Sequence, residues 1–407
     1  MGKLAINGGT PVIEDIEKIS SPWPIYGERE RIALGEVLNS GIWGTMGPRV
    51  DAFCRRFTAY QGVPYGIAVN NGTVSMEIAL RALGIGYGDE VIIPPYSFYA
   101  TASCVIMVGA TPVFADIDGD SVNICPDSIE QVITPRTKAI IPVHLGGASC
   151  DMDRIMSIAK KHKLYVIEDT AQANGSEWNG RKLGSIGDAG SFSFQASKNL
   201  NAGEGGFLTF REKKIYEKCW SIHNCGRDIS GGGWHDHSHV STNARMTEWQ
   251  AAILDAQMNK MDEETDVRIK NAEKLTKEIS RFPFINARKI YPGNNKNINF
   301  LYMFLYKKEH LKGLPKEKFL KTMEAEGFPL WGGYIPMYRQ PVFASEEFRR
   351  VTGSEIKYHE LNLPNVEKGA RDEIVAMGLR MLLAGGKAIN PLMEIMGKIQ
   401  ENIGELL

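Results

Sequence analysis

Lys198 sits in the run Gly190-Ser191-Phe192-Ser193-Phe194-Gln195-Ala196-Ser197-Lys198-Asn199-Leu200-Asn201-Ala202-Gly203-Glu204-Gly205-Gly206, where an apolar, strand-like segment delivers one amine into a glycine-rich stretch. Upstream, Val166-Ile167-Glu168-Asp169-Thr170-Ala171-Gln172 carries a carboxylate at the end of another apolar run. A lysine placed in this way can form a Schiff base with an aldehyde. The carboxylate of Asp169 can keep the pyridine nitrogen of pyridoxal phosphate protonated, so that the ring withdraws electrons from a substrate carbanion. The two positions are 29 residues apart, room for a loop and one further strand between neighbouring places at the carboxyl edge of a sheet. Asp169 alone would read as a helix N-cap and Lys198 alone as a solvated lysine. The small residues and glycines around the amine are unlike a solvent face, and together the pair points to a pyridoxal enzyme.

Three further groups could complete such a site. Asn70-Asn71-Gly72-Thr73-Val74-Ser75 joins a short strand to a helix-like stretch, so free backbone N–H groups, the helix dipole and the Thr73 hydroxyl would converge on a phosphate. An ordinary capped strand-to-helix turn has the same look. Phe98, in Tyr96-Ser97-Phe98-Tyr99-Ala100-Thr101 after Pro94-Pro95, could stack on a flat heteroaromatic ring or simply belong to the core. Ser193, five residues before Lys198, could add a hydroxyl to the phosphate cup. His235, His237 and His239 alternate as a metal site might require, but they follow Gly231-Gly232-Gly233 and read as a polar loop, with no metal expected. Gly84-Ile85-Gly86-Tyr87-Gly88-Asp89 precedes a strand instead of opening a helix, so it is a turn and no dinucleotide fingerprint.

The elements that must position these groups follow from periodicity. Between about residues 64 and 210, short apolar runs alternate with amphipathic stretches, the rhythm of an α/β domain around a mostly parallel sheet. Strands are predicted at Ile67-Ala68-Val69, Glu90 to Ile93, Thr111 to Phe114, Ala139 to Val143, Tyr165 to Ile167 and Gly206 to Phe210, with helices such as Val74 to Leu83 and Met152 to His162. A helix-like segment from Thr247 to about Ile279 leads into a second region, with a strand at Asn299 to Tyr306 and helices at Lys316 to Glu326 and Pro391 to Ile403. The expected division is an N-terminal arm over residues 1–25, a large coenzyme-binding domain over 26–260 and a small α+β domain over 261–407.

Composition removes several classes of function. With 407 residues, 23% charged, 43% hydrophobic and a net charge of -1, the chain has the make-up of a soluble globular protein and no basic surplus for nucleic acid. No stretch approaches the roughly 18 apolar residues needed to span a bilayer, and the opening Met1 to Gly9 lacks a signal-peptide core, so a cytoplasmic protein is expected. The cysteines at 54, 104, 125, 150, 219 and 225 form no paired framework and read as reduced packing residues.

The combination resembles the DegT-type aminotransferases of keto-sugars and cyclitols, a branch of the fold-type I pyridoxal phosphate enzymes. The resemblance rests on Asn71-Gly72-Thr73, Gly88 to Ile92, Asp116-Ile117-Asp118, Thr134 to Ala139, Glu168-Asp169, Ser191-Phe192-Ser193, Gly203 to Gly206 and Asn243 to Glu248, in that order over nearly the whole chain. It implies Lys198 as the residue joined to the coenzyme and as general base, Asp169 at the pyridine nitrogen and Gln172 beside the 3-oxygen. It further implies Gly72, Thr73, Val74 and Ser193 around the phosphate, Phe98 on the ring, and Asn243 reaching the phosphate held by a neighbouring subunit, hence a homodimer. Where many nucleotide-sugar members carry histidine three residues before the lysine, this chain has Gln195, a substrate-side feature shared with inosose aminotransferases and aminohydroxybenzoate synthases. Cys225-Gly226-Arg227, the Trp234 loop and Trp331-Gly332-Gly333-Tyr334 resemble that branch too.

The resemblance thus implies transamination, with glutamine or glutamate as amino donor and a keto-cyclitol or keto-sugar as acceptor. The alternatives are an aromatising dehydratase like aminohydroxybenzoate synthase, a nucleotide-sugar aminotransferase, and a coenzyme-binding regulator without catalysis. The related sugar 3-dehydratases carry histidine in place of the lysine, unlike this chain.

Overall fold

The computed structural model describes residues 2–44, 47–231, 233 and 235–407, so Gly232 and Trp234 of the glycine-tryptophan loop lie outside the described residues. Strands β1 (Tyr65–Val69), β2 (Glu90–Ile93), β3 (Thr111–Phe114), β4 (Thr137–Ile140), β5 (Tyr165–Asp169), β8 (Ala189–Ser193) and β9 (Gly206–Phe210) form one sheet; β6 (Glu177–Trp178) and β7 (Arg181–Lys182) make a small hairpin. The large sheet has the order β1-β9-β8-β5-β4-β2-β3, and only β9 runs against the others. Every residue of β2 and β9 is buried, which is why these strands read as unbroken apolar runs: both faces are covered by helices.

The helices form where capping and apolar spacing coincide. Asn71 caps the helix Gly72–Ala82, its side-chain oxygen accepting from Val74 N at 2.9 Å. The helix Met152–His162 is capped by Asp151, turns its buried Met152, Ile155, Ile158 and Ala159 to the sheet, and ends in left-handed Lys163. A second sheet of β10 (Ile285–Ala287), β11 (Leu301–Tyr306) and β12 (Ile374–Gly378) is antiparallel throughout. Its core gathers Phe304, Tyr306, Val375, Phe319, Met323, Leu392 and Met396, and Leu4 and Ile13 from the beginning of the chain join it. Glu326 ties that early segment down by accepting from Ala5 N and Val12 N while pairing with Lys398. No described helix is long and apolar enough to cross a membrane.

Four departures from the sequence expectation have a local reason. The stretch Thr247 to Ile279 is two helices, Glu248–Gln257 and Met261–Ile279, separated by a tight turn in which Asn259 N and Lys260 N reach back to Ala256 O and Gln257 O. Buried Met258 and Met261 keep the apolar period running across the break and hide it. The strand expected over Ala139 to Val143 ends at Ile140, since Pro142 has no N–H to continue the ladder. The strand expected from Asn299 begins at Leu301, because Asn299 is left-handed (φ 50°). The last long helix starts at Gly386, a turn before Pro391, drawn on by the burial of Ala388 and Ile389.

Candidate active site

A cavity of about 810 Å³ opens where the carboxyl ends of β1, β5 and β8 meet the edge of the smaller sheet. Gly72, Thr73, Val74, Phe98, Asp169, Gln172, Ser193, Gln195 and Lys198 all line it, although 126 positions separate the first from the last. Asn243 does not: it is exposed and bridged to Asn224, outside this cavity.

Asp169 ends β5 with both oxygens partly satisfied. Thr101 Oγ1 donates to Oδ2 at 2.9 Å and Ala171 N to Oδ1 at 3.2 Å. Burial pushes its carboxyl up, against the pull of those two donors and of Lys198. Burial likewise pushes the Lys198 ammonium down, with Asp169 opposing. Each therefore lies closer to neutrality than in water, as a proton-transferring amine and its partner require. The Lys198 Nζ rests 4.8 Å from the centroid of Phe300. Its loop is held by backbone: Lys198 N to Gln195 O, Ala196 N to Gly203 O, and Asn201 Nδ2 to Lys198 O. Trp23 adds a strap, its indole donating to Ala196 O at 2.8 Å.

The first turn of the helix Gly72–Ala82 closes one end of the cavity. A Cβ at Gly72 would come within 2.9 Å of Ser193 Cβ and 3.2 Å of Phe192 O, so only glycine lets that turn lie against the end of β8. Val74 lines the cavity, but its N–H is already taken by Asn71, which leaves the Gly72 and Thr73 amides and the Thr73 and Ser193 hydroxyls for an anion. Phe98 also lines the cavity and is 62% exposed, while Tyr96, two residues earlier, is 1% exposed. Gln172 presents its oxygen to Gly146 N at 2.7 Å and its amide to Tyr334 Oη at 3.4 Å. Gln195 Oε1 accepts from Ser197 N and Oγ.

A planar ring bearing a phosphate and an aldehyde fits this donor set. The lining supplies anion donors, an aromatic side chain, and a carboxylate whose ionisation burial resists within electrostatic range of an amine. The chain could bind such a group, orient it, and move a proton through Lys198.

Two contributors escaped the sequence reading: Thr101 and Phe300 line the cavity, as do Trp331 and Tyr334 of the run already singled out for its resemblance. Behind Asp169 lies a buried pair, His144 Nε2 with Glu168 Oε2 at 3.1 Å. Cys150 N donates to His144 Nδ1, which puts the ring proton on Nε2 facing Glu168. His237 and His239 are bonded separately, to Cys225 O and Ser221 Oγ.

Comparison with known proteins agrees with this geometry. The model of the DegT/DnrJ/EryC1/StrS aminotransferase family matches residues 24–378. A putative L-glutamine:3-amino-2,3-dideoxy-scyllo-inosose aminotransferase from Streptomyces kanamyceticus is 36% identical over 415 residues, covering 99% of this chain and 98% of its own. The crystal structure of 3-amino-5-hydroxybenzoic acid synthase superposes with a TM-score of 0.84 at 28% identity, over 94% of this chain and 99% of that one. NtdA from Bacillus subtilis, solved with bound cofactor PMP, superposes at 0.79 with 27% identity over 92% of this chain and 82% of its own. A lysine facing a buried carboxylate at the strand ends, and a family match running through both sheets, have one common explanation: the chain belongs to the DegT/DnrJ/EryC1/StrS aminotransferase family.

Proposed function

We propose that the chain is a pyridoxal phosphate-dependent aminotransferase that takes an amino group from L-glutamine and gives it to a keto-cyclitol. The observation that carries this reading is the convergence of Lys198, Asp169 and the Gly72–Thr73 turn on one cavity, in a chain that aligns over 99% of its length with an L-glutamine:2-deoxy-scyllo-inosose aminotransferase. When bound, pyridoxal phosphate supplies the electron sink that lets a proton leave the carbon beside the amine. Lys198 would take that proton and return it at the other end of the transfer, a role that its burial-lowered basicity suits. Asp169 would hold a positive charge at the ring nitrogen. Thr101 and the Ala171 amide fix the direction of its oxygens. Gln172, anchored by Gly146 N, directs its amide across the cavity, and Phe98 covers a face that would otherwise meet water.

The exposed position of Asn243 suits a residue that completes the neighbouring subunit's site, so the working unit in this reading is a homodimer. Protein purified with pyridoxal phosphate should absorb in the visible range, and L-glutamine alone should bleach that band. Adding scyllo-inosose should restore it and yield an amino-cyclitol by mass spectrometry. A colourless protein indifferent to the coenzyme ends the proposal, and a dehydrated aromatic product from an amino-shikimate-like ring would replace it.

A further inference from the structure

Trp331 and Tyr334 reach the cavity from the side of the smaller sheet, and the chain around them is braced at unusual depth. Trp331 exchanges two backbone hydrogen bonds with Ala376, at 2.9 and 2.8 Å. Beyond it Gly333 is left-handed (φ +94°), and a Cβ there would come within 1.9 Å of Tyr96 Oη. That gap lets Tyr96 Oη accept from Tyr334 N at 3.0 Å. The Tyr334 ring stands edge-on to Trp331, centroids 4.6 Å apart, and edge-on to Tyr96 at 5.5 Å.

Between these braces, Gly332 is held by Lys316. The lysine is only 7% exposed, and its Nζ donates to Gly332 O at 3.0 Å, to Ile374 O at 3.2 Å and to Ala370 O. All three donors of the ammonium are thereby spent on carbonyls. The position is otherwise a poor one for a cation. Lys316 is the first residue of the helix Lys316–Ala325, where the helix dipole repels positive charge, and burial presses its ammonium down to about 8 against the opposing charge of Asp372. A desolvated charge in such a place is costly unless it organises what surrounds it.

What it organises is the wall of the active site that Trp331 and Tyr334 supply, where Tyr334 Oη accepts from the Gln172 amide at 3.4 Å. The supports of Lys198, namely Gln195 O, Gly203 O and Asn201, belong to the large sheet's loops and owe nothing to Lys316. A slender donor such as glutamine needs little from a flat wall. A six-membered, polyhydroxylated ring presents an apolar C–H face that packs against aromatic surface and hydroxyls that meet the Tyr334 Oη and Gln172 amide. We propose that Lys316 is a positioning residue for the acceptor half of the amine transfer: by holding Gly332 it fixes Trp331 and Tyr334 as the wall that recognises a cyclitol ring. The proposal rests on the aminotransferase reading above.

Coenzyme-loaded Lys316→Met and wild type, compared with L-glutamine and scyllo-inosose, separate the two halves. Bleaching by glutamine should keep its rate within about twofold, while KM for scyllo-inosose rises about tenfold, the signature of lost binding and not of lost chemistry. Lys316→Arg, which keeps charge and donors, should recover most of the difference. Tyr334→Phe, which leaves the buried lysine intact, should reproduce part of the KM rise. In coenzyme-free protein, amide exchange at Trp331 and Tyr334 should quicken about tenfold in Lys316→Met while the amides of β11 are unchanged. Exchange at 331 and 334 equal to wild type, or both half-reactions falling in the same proportion, overturns the proposal. A wild-type band that glutamine fails to bleach sinks the aminotransferase reading instead, and the exchange comparison then still decides whether Lys316 holds this wall.

Discussion

Glu168 and Asp169 are neighbours on β5, so their side chains point to opposite faces of the sheet, and the fold treats the two carboxylates in opposite ways. Behind the sheet, Glu168 is saturated: Gly184 N, Ile186 N and Gly187 N donate to it at 2.9, 2.7 and 2.8 Å, and His144 adds a fourth bond. Burial alone would raise its carboxyl, but the His144 and backbone donors hold it below the usual range. In front, Asp169 has two donors and is pushed up. One carboxylate is finished by four donors; the other has two, and these together with the Lys198 charge do not outweigh its burial. Completeness marks a structural group and shortage a functional one.

The sharpest way to break this contrast is Lys198→Ala. Activity should fall by at least about a thousandfold and the visible band should vanish, while the denaturant midpoint holds steady or rises, because an awkwardly desolvated amine is gone. A stable, coloured and active variant would refute the assignment. Glu168→Gln should do the reverse: leaving His144 and three amides around a neutral side chain should cost about 3–5 kcal/mol of stability, as for a broken buried pair. Material that remains folded should still take up coenzyme. If that variant is stable but dead, the back of the strand is more than a brace.

Thr101→Val tests the front alone. Losing the hydroxyl on Oδ2 should lift the Asp169 carboxyl further, move the acid limb of the pH–rate profile upward and cost about tenfold in rate, roughly the worth of one hydrogen bond to a charge. Thr101→Ser should restore it; an unmoved acid limb would show that the hydroxyl is incidental. The finest discrimination is in the sign of the pH dependence of stability without coenzyme. Glu168 is lowered, so its contribution is present above the ordinary glutamate range near 4.5 and fades as pH falls through its folded value. Asp169 is raised from 3.8, so its contribution is present in acid and lost as pH rises through its folded value. Asp169→Asn should therefore stabilise the coenzyme-free protein progressively as pH climbs above about 4, by about 1.4 kcal/mol for each unit of raised pKa. Parallel curves for mutant and wild type would show that Asp169 is not strained.

The front of the strand was far more legible in the sequence than the back. Lys198 stands out because a single amine among small residues and glycines has few structural uses, and Asp169 because it closes an apolar run. Helix Met152–His162 matched its apolar spacing residue for residue. The pairing of Glu168 with His144 spans 24 residues and depends on how two loops fold over the sheet, so no local pattern announces it. Thr101 lay within a run already singled out for Phe98, yet nothing in residue type says that its hydroxyl turns to Asp169. The break after Gln257 was invisible for the opposite reason: Met258 and Met261 keep the helical rhythm going although the backbone has stopped.

The strap at Trp23 carries a practical consequence. Residues 4 and 13 are embedded beside the smaller sheet, and ten residues later the indole grips the carbonyl two positions ahead of Lys198, so this leading stretch works as a guy-rope between distant parts of the molecule. Trimming it to tidy an expression vector would slacken the very turn that aims the amine, and a loss of colour after such trimming would report slack in the rope, not damage to the hand that holds the coenzyme.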